Sequence, residues 1–122
     1  MKYIAIMLAA LFGFLGFAPT ASAQTMTAKV EASKSASGSV SGTVKWSAVE
    51  GAARYEVRIS KITRPGDGHE HSEEVIKVEV EAGTSLGFGF SAPDAVGVSV
   101  VVTALNGSGQ EITHASAATY FR

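Results

Sequence analysis

Two patterns of apolar residues divide the chain. From Ile4 to Phe17 the residues are apolar apart from glycine, whereas from Val40 onward apolar side chains fall on alternate positions. Val40, Gly42, Val44 and Trp46 alternate with Ser41, Thr43, Lys45 and Ser47, the period of a half-buried strand. After a turn at Glu50-Gly51-Ala52, Tyr55, Val57 and Ile59 alternate with Glu56, Arg58 and Ser60. A polar loop, Arg64 to His71, separates this strand from one in which Ile76, Val78 and Val80 alternate with Lys77, Glu79 and Glu81. The charged face of that strand is expected in water, where it protects an edge from pairing with another molecule.

Leu86, Phe88 and Phe90 come next, with Gly87 and Gly89 on the opposite face, where glycine allows a bend or a close backbone approach. Pro93-Asp94 reads as a turn. Val96 to Leu105 is the most apolar run of the second half, and its two valine-bearing faces predict a central strand. Asn106-Gly107-Ser108-Gly109 is a hairpin signal, because Asn and Gly tolerate positive φ. Ile112 to Phe121 closes the series, and Thr27–Ala32 opens it with little more than Val30 to bury. About seven short strands without a helical period predict an all-β sandwich of antiparallel strands. Parallel βαβ architectures fail for want of crossover helices.

The first apolar run has a different purpose. Lys2 precedes it, Pro19 ends it, and Ala21-Ser22-Ala23 places small residues before Gln24. That is the pattern of a signal peptide cleaved between Ala23 and Gln24, on a run shorter than the ~20 residues that span a bilayer. The expected division is therefore 1–23 as signal peptide and 24–122 as one domain, periplasmic or secreted, with no membrane span after cleavage. Cysteine is absent, which excludes disulfides, a thiol nucleophile and a lipid-modified cysteine. The formal net charge is −1, and losing Lys2 with the leader makes it −2. Nothing in that balance supports nucleic-acid binding.

Candidate chemistry is sparse. His69 and His71 stand two apart, so in an extended segment both imidazoles project to one side and can reach one ion. Asp67, Glu73 or Glu74 would add oxygen ligands, a donor set suited to copper(II), zinc or nickel. An exposed polar loop explains the same residues without a metal. His114 is isolated, on the side of its strand shared by Ile112 and Tyr120. No Gly-x-Ser-x-Gly elbow is present, Gly87 and Gly89 do not precede a helix, and Pro65 interrupts what would otherwise be an Arg-Gly-Asp triplet. The sequence shows neither an enzyme nor a cofactor.

The stretch Trp46-Ser-Ala-Val-Glu-Gly-Ala-Ala-Arg-Tyr55-Glu-Val57 resembles the B–C region of fibronectin type III domains. Val98-x-Val100-x-Val102-x-Ala104-x-Asn106-x-x-Gly109 is similar to their F strand and F–G turn. The resemblance covers nearly all of residues 27–121 and implies an immunoglobulin-like sandwich with Trp46, Tyr55, Val57, Val100 and Val102 in its core. The family carries a tyrosine where this chain has Val98, and its hydroxyl ties the E–F corner. That corner therefore needs another hold here, for which Pro93 and the packing of Phe88 or Phe90 are the candidates. The implied function is an exported, non-enzymatic binding or structural module contacting proteins or polysaccharide of the cell envelope through the loops at 64–72 and 106–109. Weak self-association through an uncovered sheet edge is a further expectation. The alternative is a small periplasmic metal-binding protein using His69 and His71.

Overall fold

A computed structural model describes residues 25–66 and 68–121. The leader with its cleavage site at Ala23–Gln24, and Asp67, lie outside the described residues. Seven strands follow one another without a helix among the described residues: β1 (Ala28–Lys34), β2 (Ser39–Trp46), β3 (Arg54–Thr63), β4 (His71–Val80), β5 (Ser85–Ser91), β6 (Ala95–Leu105) and β7 (Glu111–Tyr120). They form two antiparallel sheets, β1-β2-β5 and β4-β3-β6-β7. The first strand packs across the interior against β7 and β6, and this fixes how one sheet lies on the other.

Period-two patterning explains which side chains meet. Val40, Val44 and Trp46 of β2 face Tyr55, Val57 and Ile59 of β3 and Val98, Val100 and Val102 of β6, all buried in one apolar cluster. Across β3 and β6 the pairs Tyr55–Ala104, Val57–Val102 and Ile59–Val100 lie directly opposite, so β-branched side chains pack along the central pair. Trp46 is 5% exposed, its ring centroid 5.5 Å from that of Tyr55, and its indole Nε1 is buried without a hydrogen-bond partner. The Tyr55 hydroxyl accepts a hydrogen bond from the Val49 amide at 2.9 Å, fixing the turn between β2 and β3 to the core.

Two strands depart from simple alternation. In β4 the register slips between Ile59 and Ser60 of its partner, leaving Val75 as an extra, exposed residue. Pairing nevertheless continues to His71 opposite Thr63, so the strand begins five residues before Ile76 and takes in His71 and Ser72, expected in the preceding loop. Backbone ladders at a sheet edge do not require apolar side chains. In β7 a second slip makes Ile112 the extra residue and turns it toward the core, whereas His114 and Tyr120 face outward. Ile112 therefore does not share a side with them. Close backbone approach occurs at Gly42 and Gly97 rather than at Gly87 or Gly89. A Cβ on Gly42 would strike the Glu31 carbonyl and one on Gly97 would lie 2.5 Å from the Thr119 carbonyl, but one on Gly87 would come no nearer than 4.0 Å to the Gly42 carbonyl.

Candidate functional site

The β3–β4 loop ends in a polar clasp. Arg64, the first residue after β3, donates from Nη2 and Nε to Glu70 Oε2 at 2.7 and 3.1 Å. The Tyr120 hydroxyl, from the end of β7, donates to Glu70 Oε1 at 3.0 Å. The Arg64 guanidinium also lies 5.5 Å from the Tyr120 ring centroid. Tyr120 can reach across because the intervening strand contributes Gly97, over which its ring lies. Ile62, opposite Gly97 in the ladder, is buried on this outer side and does not belong to the central cluster.

Both carboxylate oxygens of Glu70 are thus occupied. The Arg64 hydrogen bond, and then that of Tyr120, hold its carboxyl below the ordinary carboxylate range. The same contact with the Glu70 anion raises the Tyr120 phenol. Both groups are exposed, and the clasp is screened accordingly.

Around this clasp lie the expected metal ligands. His69 is in the loop, whereas His71 opens β4 opposite Thr63. The residue between them is held by Arg64 and Tyr120. Among the described residues no group of three or more His, Asp or Glu side chains is gathered to hold an ion. Glu73 faces Lys61 at 3.7 Å, and Glu74 lies 3.9 Å from Arg58. His114 sits on the outer face with Nδ1 2.7 Å from Glu111 Oε2.

The two loops expected to carry recognition lie at opposite ends of the sandwich. Thr63 pairs with Ala95 and Arg54 with Leu105, so the segment after β3 is at one end of the β3–β6 pair and the segment after β6 at the other. The latter is a rigid turn. Asn106 Oδ1 accepts hydrogen bonds from the Ser108 and Gln110 amides at 2.9 and 3.0 Å, and Gly109 takes the positive φ, 83°. Asn106 acts here through its side chain, a turn role distinct from tolerance of positive φ.

At the 92–95 corner the expected Pro93 is joined by a lysine that the sequence did not announce. Lys34, the last residue of β1, donates from Nζ to the Pro93 and Ala95 carbonyls at 2.9 and 2.7 Å. Gly38, with φ 89°, fits against the Pro93 ring, and its carbonyl accepts from the Ala92 amide. A lysine ammonium thus ties a corner for which Val98 offers no hydroxyl. Arg64, Glu70 and Tyr120 were also missed as a group. The available signal was an exposed tyrosine at the end of the last strand and an arginine beside a Pro-Gly loop. Comparison with family models, curated proteins and solved structures finds no match for this chain.

Proposed function

We propose that this chain is an exported, non-enzymatic binding or structural module of the fibronectin type III kind, contacting proteins or polysaccharide of the cell envelope. The observation that carries the reading is the strand order. A three-stranded sheet β1-β2-β5 faces a four-stranded sheet β4-β3-β6-β7, with β4 beside β3. In an antibody constant domain the fourth strand joins the other sheet instead. With the Trp46–Tyr55 pair in the core, this arrangement agrees with the motifs at 46–57 and 98–109. A rigid sandwich of this kind leaves loops and edges free to carry recognition. The clasp at Arg64, Glu70 and Tyr120 supports a presenting role for one end, since it holds the β3–β4 loop against the last strand.

The test combines location with contact. Cells producing the full chain are fractionated, and the N-terminus of the recovered protein is sequenced. Gln24 as first residue, in the periplasm or the medium, is the expected result. Photo-crosslinking residues placed singly at Gly68 and Ser108 should then capture envelope protein or polysaccharide. A chain that stays in the cytoplasm with Met1 in place, or that crosslinks to no envelope component from either loop, refutes the proposal.

A further inference from the structure

Among the described residues, the two edge strands β4 and β5 leave an open seam on the side of the sandwich away from β1 and β7. Ile76, Val78 and Val80 of β4 pair with Ile59, Val57 and Tyr55, and therefore point inward with them. Val57 is fully buried, yet Val78 beside it is 37% exposed, and Ile76 and Val80 are half-buried. Their cover is incomplete because the facing sheet has one strand fewer. From the closed side, where β1 packs on β7, the three strands β1, β2 and β5 run out before β4 is reached. Inward side chains of β5, Leu86, Phe88 and Phe90, are half-buried along the same seam, with the two phenylalanine rings stacked 6.1 Å apart.

The edge of β5, which no strand among the described residues pairs with, suits the missing strand. Trp46 donates to the Thr84 carbonyl and Ala92 to the Gly38 carbonyl, each at 2.9 Å, so even-numbered residues of this segment face β2. The N–H and C=O groups of Ser85, Gly87, Gly89 and Ser91 consequently point away from the sheet. Two of these four residues are glycines, and Ser85–Ser91 contains no charge and no proline. The other edges are defended or offer little. β1 carries Lys29, Glu31 and Lys34, and β4 has Glu73, Glu74, Lys77, Glu79 and a bulge. β7 is uncharged from Ala115 onward, but its inward residues there are small and β1 lies against them.

We infer that the edge of β5 binds one extended peptide segment of a partner protein as an added antiparallel strand, apolar residues inward over Val78 and Phe88, small polar residues outward. A second copy of this chain does not fit that place. Two-fold pairing along β5 would set both four-stranded sheets on the same side, each bringing its β4 beneath the other's β5. The position admits a strand with nothing folded under it. Backbone pairing supplies the attraction and the inward pockets the selectivity. A strand of about seven residues buries well under ~1,200 Å², which places the affinity in the weak, transient class. This inference rests on the sheet order and the β5 sequence, and stands apart from export and from the loops.

The probe is a capped peptide of about nine residues alternating threonine and valine, added to isotopically labelled chain. The expected result is saturable binding that shifts the amide signals of Gly87 and Gly89 and slows their hydrogen exchange. In an antiparallel strand with valines inward, the threonine amides face β5. Methylating the threonine nitrogens should abolish binding, and methylating the valine nitrogens should leave it. Gly87→Pro with Gly89→Pro removes two outward donors without touching a bond to β2, and should weaken binding roughly tenfold or more while Trp46 emission reports an intact fold. Three results would overturn the inference: signal changes confined to the β3–β4 or β6–β7 loop, equal binding of both methylated peptides, or a dimer of this chain that protects the β5 edge with no peptide present.

Discussion

Replacing Tyr55 by phenylalanine isolates one hydrogen bond. The ring stays the same size, so its packing 5.5 Å from Trp46 is retained and no cavity opens. What is lost is the acceptor for the Val49 amide, in a turn where both Val49 and Tyr55 are buried. A buried amide left without a partner costs about 1–3 kcal/mol, against a total stability of ~5–15 kcal/mol for a domain of this size. The expected fall in Tm is roughly 5–15 °C. Urea denaturation followed by far-ultraviolet circular dichroism measures the change, with Trp46 fluorescence as a second probe. Hydrogen exchange adds a local readout, since the Val49 amide should lose protection beyond the global change. A variant as stable as the parent, with Val49 still protected, would refute the idea that the hydroxyl fixes this turn.

Lys34→Met keeps most of the aliphatic stem but removes the donor to Pro93 and Ala95, and should cost about 1–3 kcal/mol in denaturant melts. Gly97→Ala should destabilise by about 1–3 kcal/mol because its Cβ meets the Thr119 carbonyl, whereas Gly87→Ala should stay within about 0.5 kcal/mol of the parent; thermal melts of the pair compare them directly. Carbon-detected titration should place the Glu70 midpoint below that of ordinary glutamates, and Arg64→Ala should raise it. Because that folded-state value is depressed, the stability it contributes is present above the unfolded value and lost as pH falls through the folded one. Tyr120 runs the other way: its raised value gives stability that is present below the unfolded value and lost as pH rises through the folded one, which an ultraviolet titration of Glu70→Gln against the parent would register.

Side-chain alternation made the strands legible, because parity alone decides which residues of β2, β3 and β6 are buried together. Parity failed at Ile112, where one extra residue reverses the count, and Val75 is a second such residue; no apolar signal marks either. Alternation makes the edge strand β4 too short for a different reason, its first half being paired through backbone while its side chains are polar. Contacts that close the molecule were not legible at all. Lys34 and Pro93 stand 59 positions apart, and Glu70 and Tyr120 stand 50 apart, so no local pattern links them. His69 and His71 are visible as a pair because they are close in sequence, whereas the partners of Glu70 between them, Arg64 and Tyr120, are 6 and 50 positions away.

The lysine at the end of β1 also makes closure of the molecule a long-range event. Its carbonyl partners stand 59 and 61 positions further on, and β1 lies against β7. The β1–β2 hairpin forms from local contacts, whereas fastening it to the other strands means closing loops of that length, an entropic cost met before any of those contacts is gained.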